Sequence, residues 1–127
     1  MNDNYKHSAI TDIIIKAFYS VYNVVGYGFL EKVYENAIFI ELESKGLSVK
    51  KQVAIEVMYL NKIVGFYFAD IVVNDVIIVE LKAAEVLIEA HAAQLLNYLR
   101  ATNVEVGLLL NFGKTPQIKR KVFTNKK

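Results

Sequence analysis

The sequence predicts an α/β fold in which a mixed sheet is flanked by helices, and the order of its segments carries this prediction. Two stretches with helical periodicity come first, and three stretches with strand alternation follow them. A further helical stretch separates the third strand from a fourth, fully apolar one. Because a helix between two strands forms a crossover, we expect the third and fourth strands to be parallel and the strands joined by turns to be antiparallel.

Two amphipathic helices are predicted at the start of the chain. Apolar residues recur at spacings of three and four from about residue 5 to 23, and again over 30–45. The Gly-Tyr-Gly sequence at 26–28 separates these helices. Glu31 and Glu35 are four residues apart on the second helix, so they share a face.

The rest of the chain alternates between strand and helix signals. The predicted segments are a strand from Leu47 to the turn at Asn61-Lys62, strands over 63–73, 76–82 and 104–110, and a helix over about 84–101. The strand over 104–110 is apolar on both faces, so we expect it inside the sheet. The residues at 118–123 fit either a short edge strand or a helix.

Composition limits the class of protein. A chain of 127 residues that is 54% hydrophobic has enough apolar material for one compact core, so we expect residues 1–127 to form a single domain. The apolar runs are shorter than the roughly 18 residues of a membrane helix, and the N-terminus has no signal-peptide pattern. The chain has no cysteine, which excludes disulfides and suits a reducing compartment. We therefore expect a cytoplasmic protein.

Charge is unevenly distributed along the chain. The formal net charge of +2 is too small to indicate a nucleic-acid partner, but residues 114–127 contain six basic residues and no acidic one. Such a basic tail can bind phosphate, and Lys119, Arg120 and Lys121 are candidate substrate-binding residues. A solvated, frayed terminus explains the same pattern equally well.

The third predicted strand ends in charged residues. Its apolar run leads into Glu80, Leu81 and Lys82, and strand alternation places Glu80 and Lys82 on one face. Asp70 lies ten positions before Glu80. Because burying unpaired charge costs roughly several kcal/mol, such groups are expected to form ion pairs, bind a metal or lie at an open rim.

Metal-assisted hydrolysis of a phosphodiester is a chemistry that this pattern allows. Hard cations take oxygen ligands, so Asp70, Glu80 and the backbone carbonyl of Leu81 are candidate ligands for Mg²⁺ or Mn²⁺. Lys82 is a candidate catalytic residue that orients the attacking water or neutralises developing charge. The alternative is an ordinary ion pair at the sheet edge, because a Glu-x-Lys triplet is expected about once by chance in such a composition.

The two carboxylates can act together only if they share a face of the sheet. A two-residue turn at 74–75 would pair Asp70 with Val79 and send Asp70 and Glu80 to opposite faces. A three-residue loop over 74–76, or a β-bulge, would pair Asp70 with Glu80 instead. We predict one of the latter two arrangements.

A polar stripe lies along the last predicted helix. His91, Gln94 and Tyr98 occupy positions i, i+3 and i+7. Gln94 can contact a phosphate or the lysine, Tyr98 can stack on or bond to substrate, and His91 can ligate or move a proton. The alternatives are half-buried packing for Tyr98 and an ordinary surface position for His91.

Four ordered motifs resemble a known family. Residues 28–37, Gly-Phe-Leu-Glu-Lys-Val-Tyr-Glu-Asn-Ala, resemble the signature of the small bacterial and archaeal GxxExxY proteins, which are grouped with the PD-(D/E)xK nuclease superfamily. Residues 65–70, 79–82 and 94–99 match further motifs of that family in the right order. The resemblance covers nearly the whole chain.

The resemblance implies a restriction-endonuclease-like αβββαβ core with metal ligands at Asp70 and Glu80 and a catalytic Lys82. It also implies a helical carboxylate at Glu31, and it matches Gln94 and Tyr98 to the Gln-x-x-x-Tyr pattern of the exonuclease-like branch. We therefore include Glu31 and Gln94 among the candidate catalytic residues. The positions that depart from the family's usual residues are Ser20, Tyr22, Phe68 and Ala92.

Two functions are open at this point. The first is a Mg²⁺- or Mn²⁺-dependent nuclease, with DNA favoured over RNA as the substrate. The second is a catalytically silent nucleic-acid-binding or protein-interaction module that keeps the fold. A homodimer or a larger complex that completes the substrate cleft is a further alternative, because a chain of 127 residues offers little surface for a complete cleft. No membrane association is expected.

Overall fold

The computed structural model describes residues 6–124 and contains a five-stranded mixed sheet with helices on both faces. The strands lie side by side in chain order, with β3 and β4 parallel and the other pairs antiparallel. The elements are α1 (Ser8–Val25), α2 (Glu31–Ser44), β1 (Val49–Tyr59), β2 (Lys62–Val73), β3 (Ile77–Lys82), α3 (Glu89–Arg100), β4 (Val106–Phe112) and β5 (Pro116–Val122). This confirms the predicted α/β fold, in which α2 to β4 form the αβββαβ core. Within residues 6–124, none of the helices combines the length and apolar character that a membrane crossing requires.

The helices α1 and α2 pack on one face of the sheet. Their buried side chains lie on the predicted apolar stripes, at Ile14, Ala17, Phe18, Val21, Tyr34, Ile38 and Leu42. Alternate residues of β3 and β4, such as Val79 and Leu108, complete this core. The two amphipathic helices therefore cover one side of the strands that carry the candidate site.

The helix α3 covers the opposite face through Leu95 and Leu99, which pack in one cluster with Ile78. The helix approaches the sheet closely at Gly107, where an added Cβ would lie 2.6 Å from a methyl carbon of Leu95. A side chain at this position would force the Leu95 side chain or the helix to shift. The strand β4 is buried along its whole length, as predicted for an internal strand.

The connection between β2 and β3 has the predicted three-residue form. Val73 pairs with Ile77, so three residues separate the paired strand ends. The residues at 74–75 both adopt left-handed backbone conformations, with φ of 51° and 57°. Their types, Asn and Asp, tolerate this conformation better than most other residues. The Val76 N–H donates to the Val73 carbonyl at 3.0 Å, and Val76 is the extra residue that sets the register.

In both β1 and β2, the odd-numbered side chains change from one face of the sheet to the other at the same level. Val49 and Ile71 pack under α1 and α2, whereas Ile55 and Ala69 pack under α3. With regular alternation, all odd-numbered residues of one strand would lie on the same face. The change occurs at Gln52, whose φ of 52° is left-handed and interrupts the regular strand geometry.

The start of α3 differs from the prediction. The helix begins at Glu89 rather than near Ala84, because side chains from β4 and β5 bind the backbone of the preceding segment. Asn111 accepts the Ala84 N–H through Oδ1 and donates to the Ala84 carbonyl through Nδ2, both at 2.9 Å. Gln117 Oε1 accepts the Leu87 N–H at 3.2 Å. These side-chain bonds replace the first turn of the predicted helix.

Within the predicted basic tail, Pro116–Val122 forms the edge strand β5. The edge strand is therefore the correct one of the two conformations considered for this segment. Strand alternation places Lys119 and Lys121 on one face and Arg120 on the other, where Arg120 donates to the Lys6 carbonyl at 2.5 Å. The three residues cannot form a single phosphate-binding row. The last two lysines of the predicted tail lie outside the described residues.

The remaining boundaries agree with the predictions to within about two residues. The strand β4 runs two residues later than predicted, over Val106–Phe112. The helix α1 continues to Val25, where the glycine that follows ends it as expected. Its predicted start near Tyr5 lies outside the described residues.

Candidate active site

Asp70 and Glu80 meet where the ladder between β2 and β3 ends. The last paired residues are Ile71 and Val79, and one further step of the same register places Asp70 opposite Glu80. Here side chains replace the backbone ladder, because the Asp70 N–H donates to Glu80 Oε2 at 2.7 Å and the Leu81 N–H donates to Asp70 Oδ2 at 2.9 Å. The two residues therefore lie opposite each other on adjacent strands, as the predicted register required. The Asp70 carboxylate lines a cavity under α2, so the prediction that both carboxylates share one face stays a prediction.

Burial makes this carboxylate pair electrostatically costly. Desolvation raises the pKa of Glu80 to about 8, and the nearby charge of Asp70 adds to this effect, while the Asp70 N–H and Lys82 oppose it. Desolvation also raises the pKa of Asp70, with partial opposition from the Leu81 N–H. Raised carboxyl pKa values mean that the negative charges lack compensation. A bound cation would supply that compensation.

A small acidic cavity of about 190 Å³ lies between α2 and Asp70. Its lining residues are Glu31, Lys32, Glu35, Gln52, Asp70 and Leu81. The buried Glu35 accepts from Lys32 Nζ at 2.7 Å and from Gln52 Nε2 at 2.6 Å. The same amide nitrogen of Gln52 lies 3.4 Å from Asp70 Oδ1. Glu35 and Glu31 both raise the pKa of Asp70, so α2 adds negative charge to the pair.

Lys82 lies two residues beyond Glu80 on the same face of β3 and is half-buried. Its charge lowers the pKa of Glu80. Within the described part of the chain, the Lys82 ammonium forms no hydrogen bond or ion pair. Leu81 is buried on the α1 and α2 side, and its N–H is the group that bonds to Asp70. The ammonium is therefore available to a bound molecule.

A larger groove of about 770 Å³ separates α3 from the outer half of the β1–β2 hairpin. In it, Gln94 Nε2 donates to the Tyr98 hydroxyl at 3.1 Å, and the Tyr98 and Tyr67 ring centroids are 5.8 Å apart. Burial raises the pKa of Tyr98 to about 12, and the charges of Glu80 and Asp70 contribute to the shift. Tyr98 therefore links the groove to the carboxylate pair. Further polar lining comes from Glu56, Asn97 and Arg100.

His91 occupies the start of α3 rather than either cavity. Its Nδ1 accepts the Ile88 N–H at 3.2 Å, so this ring nitrogen caps the helix. His91 lines neither the acidic cavity under α2 nor the larger groove between α3 and the β1–β2 hairpin. The structure thus brings Gln94 and Tyr98 together and leaves His91 at the helix end.

The Gly-x-x-Glu-x-x-Tyr residues shape the loop before α2. Gly28 has a φ of 107°, which residues with a side chain rarely adopt. Tyr34 is fully buried, and its hydroxyl donates to the Gly26 carbonyl at 2.8 Å and accepts the Phe29 N–H at 3.2 Å. Glu31 is the first residue of α2 and lines the acidic cavity. The glycine and the tyrosine therefore fix the position from which Glu31 enters the site.

The donor groups have the chemistry that a hard divalent cation prefers. Asp70 and Glu80 offer carboxylate oxygens, and their raised pKa values reflect uncompensated negative charge. Within residues 6–124, no three His, Cys, Asp or Glu side chains are grouped closely enough to form a metal centre as they stand. Asp70 and Glu80 thus fit a divalent cation by their oxygen ligands and their negative charge, and the remaining ligands would have to come from backbone, water or substrate.

The fold is an α/β fold consistent with a restriction-endonuclease-like core. A family model described as the PD-(D/E)XK nuclease superfamily matches residues 8–122. Because this match covers most of the 127 residues, the chain belongs to the PD-(D/E)XK nuclease superfamily. No curated protein and no solved structure matched the chain. The narrower GxxExxY grouping remains a resemblance.

Gln52 and Tyr67 contact the predicted residues Asp70 and Tyr98 although the sequence did not single them out, and Glu35 is joined to Asp70 through Gln52. Glu35 was visible only as the helix neighbour of Glu31. A signal for the irregularity at Gln52 was Lys51, a polar residue where strand alternation expects an apolar one. Tyr67 had no usable signal, because the strand around it is apolar at nearly every position.

Proposed function

We propose that the protein is a divalent-cation-dependent nuclease that hydrolyses phosphodiester bonds in DNA, with RNA the less favoured substrate. The observation that carries this proposal is that the Asp70 and Glu80 carboxylates each accept an N–H from the neighbouring strand and act on each other's charge. Lys82 also acts on Glu80, and within residues 6–124 its ammonium forms no hydrogen bond or ion pair. Two desolvated carboxylates repel phosphate unless a cation lies between them and the substrate. A module that only binds nucleic acid gains nothing from this arrangement.

Each residue at the strand ends has a role in the proposal. Asp70 and Glu80 would hold Mg²⁺ or Mn²⁺, with the Leu81 carbonyl as a further ligand. The cation, when bound, lowers the pKa of a coordinated water and neutralises phosphate charge. Lys82 orients the attacking water or stabilises developing negative charge, and Glu31 adds a carboxylate from α2.

Substrate binding is proposed for two residues of α3 and for one residue of β5. Gln94 and Tyr98 contact the substrate strand in the groove beside α3. Lys119 lies on the same sheet face as Glu80, because both pair with Leu109 from opposite sides. The geometry gives less support to roles for Arg120, on the other face, and for His91, at the helix end. We also propose that residues 1–127 form a single domain.

The alternative is a catalytically silent module of the same fold. The specific observation in its favour is that Asp70 and Glu80 already accept backbone N–H groups and that no three metal-ligating side chains are grouped within residues 6–124. A silent module would bind nucleic acid or protein without binding Mg²⁺. The two functions therefore differ in a property that is measured directly.

Cleavage and cation binding should be measured together for wild type, Asp70→Ala, Glu80→Ala and Lys82→Ala. The substrates are linear, nicked and single-stranded DNA and RNA of matched length, with Mg²⁺ or Mn²⁺. We expect each variant to lose at least about 100-fold in cleavage rate. Calorimetry should show loss of cation binding for the two carboxylate variants and its retention for Lys82→Ala. The exposed Glu43→Ala serves as the matched control.

Two results would contradict the proposal. Equal residual cleavage by wild type and all three variants would show that the activity is not that of this site. Nucleic-acid binding by a wild-type protein that neither cleaves nor binds a divalent cation would identify the silent module.

A further inference from the structure

The outer half of the β1–β2 hairpin exposes an unusual amount of apolar surface. Among residues 6–124, eight of the seventeen exposed large hydrophobic side chains fall within 58–68. We call these eight residues the hairpin patch: Met58, Tyr59, Leu60, Ile63, Val64, Phe66, Tyr67 and Phe68. Their relative exposures range from 47% to 75%. Strand alternation places Phe66 and Phe68 on one face of the hairpin and Tyr67 on the other, so the patch extends over both faces. Apolar exposure concentrated in one element marks an interaction site in a folded protein.

The apolar area of the hairpin patch is divided between the two faces of the hairpin. Taking roughly 200 Å² for a large apolar side chain when fully exposed, the eight residues together offer roughly 900 Å², so one face offers roughly half of that. A standard interface buries about 800 Å² on each partner, and the largest apolar patch of a typical monomer is about 300–600 Å². One face alone is therefore too small for a standard dimer interface, and the free strand edges must contribute as well.

The backbone of the same region also lacks strand partners. The strand β1 is at the edge of the sheet. β1 and β2 pair with each other as far as their turn, whereas the ladder from β2 to β3 covers only the three pairs over 71–73. Within the described residues, the outer hairpin thus has two edges without a neighbouring strand. Such edges favour association through further strand pairing or through stacking of the apolar faces.

Charge decides between the classes of partner. The stretch at 57–68 contains a single charged residue, Lys62, next to the turn. A nucleic acid requires several Lys or Arg side chains, so the patch is poorly suited to a phosphate backbone. An isologous contact brings a surface against itself, which is favourable for a neutral apolar patch and unfavourable for a charged one.

We propose that the hairpin patch is the interface at which two copies of this chain form a symmetric dimer. The hairpin also carries Asp70 at its base, so the dimer would fix two candidate sites relative to each other. The proposal does not require nuclease activity, although Met58 and Tyr67 of the patch also line the groove beside α3.

Sedimentation equilibrium on the full chain tests this proposal with Phe66→Glu and with Ile40→Glu, an equally drastic change at an exposed position on α2. We expect a wild-type dimer at micromolar concentration that is insensitive to salt. Phe66→Glu should raise the dimer dissociation constant at least tenfold, and Ile40→Glu should leave it within twofold. A wild-type protein that is monomeric up to 100 μM, or a dimer weakened equally by both variants, would overturn the proposal.

Cross-linking provides a second measurement if Phe66→Glu fails to fold. The chain has no cysteine, so Met58→Cys and Val24→Cys each introduce a single thiol, the first in the hairpin patch and the second at an exposed position on α1. A short bis-maleimide linker should join two copies through Met58→Cys and not through Val24→Cys. Equal cross-linking of the two variants at low protein concentration would contradict the proposed interface.

Discussion

At the scale of single residues, the properties of Glu80 depend on how little compensation its charge receives. Its carboxylate accepts one backbone N–H, from Asp70, but the loss of water and the nearby Asp70 carboxylate outweigh that bond and the charge of Lys82. The Glu80 side chain is therefore more easily protonated in the folded chain than in the unfolded one. The uncompensated negative charge of Glu80 favours cation binding, and it should also make the stability of the cation-free protein depend on pH.

We predict that the cation-free protein loses stability as the pH rises from about 4.5 to about 8. The pKa of Glu80 is raised from 4.5 to about 8, so the folded state binds more protons than the unfolded state in this range. The slope for one such group is at most about 1.4 kcal/mol per pH unit. Urea unfolding in the presence of a chelator, at a series of pH values, measures this slope.

Glu80→Gln is the matched variant for the pH prediction, because glutamine resembles the protonated side chain. Its stability should depend less on pH, and it should be more stable than wild type at pH 8. Addition of Mg²⁺ at pH 8 should stabilise wild type and leave Glu80→Gln unchanged. Identical pH profiles for wild type, Glu80→Gln and the exposed control Glu43→Gln would contradict the raised pKa.

At the scale of elements, the loop between α1 and α2 is held by one buried side chain. Tyr34 extends from α2, stacks on Phe112 of β4 with ring centroids 4.1 Å apart, and bonds to both ends of the loop through its hydroxyl. The loop in turn sets the start of α2 and so the position of Glu31. A residue in the core thereby determines where a candidate catalytic carboxylate lies.

We predict that Tyr34→Phe lowers the free energy of unfolding by about 1–3 kcal/mol, because it removes a buried hydroxyl that pairs with the Gly26 carbonyl and the Phe29 N–H. Urea denaturation measures the change. The control is Tyr19→Phe, since Tyr19 is 42% exposed and should lose little. An equal effect from the two substitutions would show that the Tyr34 hydroxyl bonds contribute nothing to stability.

At the scale of the whole molecule, the sheet places basic residues that are adjacent in the sequence on opposite faces. Glu80, Leu109 and Lys119 form one row across β3, β4 and β5, so they lie on the face that carries α3. Arg120, the next residue, lies on the opposite face near the start of α1. Basic residues that are adjacent in the chain therefore belong to different surfaces.

We predict that Lys119→Glu weakens nucleic-acid binding by about threefold or more at low salt and reduces the salt dependence of binding. The reason is that Lys119 lies two strands from Glu80 on the same face. Fluorescence anisotropy with a labelled DNA duplex and a labelled single strand measures the effect. Lys16→Glu, an exposed position of equal charge on α1, is the control and should change binding little. Equal weakening by both substitutions would indicate a general charge effect.

Much of the architecture was predictable because it depends on local patterns. Helical spacing located the cores of α1 and α2, and strand alternation located β1 to β3. The register of β2 and β3 was also predictable, since only a three-residue loop or a bulge brings Asp70 and Glu80 together. The start of α3 was not predictable, because Asn111 and Gln117 hold the preceding segment from strands that follow it in the chain.

The sequence by itself determined the α/β order, the apolar faces and the carboxylate pair with its lysine, because each of these follows from residue spacing within one or two elements. Only the tertiary structure decided that Gln52 links Glu35 to Asp70, that Tyr67 joins Tyr98 in a groove, and that the basic segment splits between two faces. These relations depend on packing between elements that are distant in the chain. Residue spacing carries no information about such contacts.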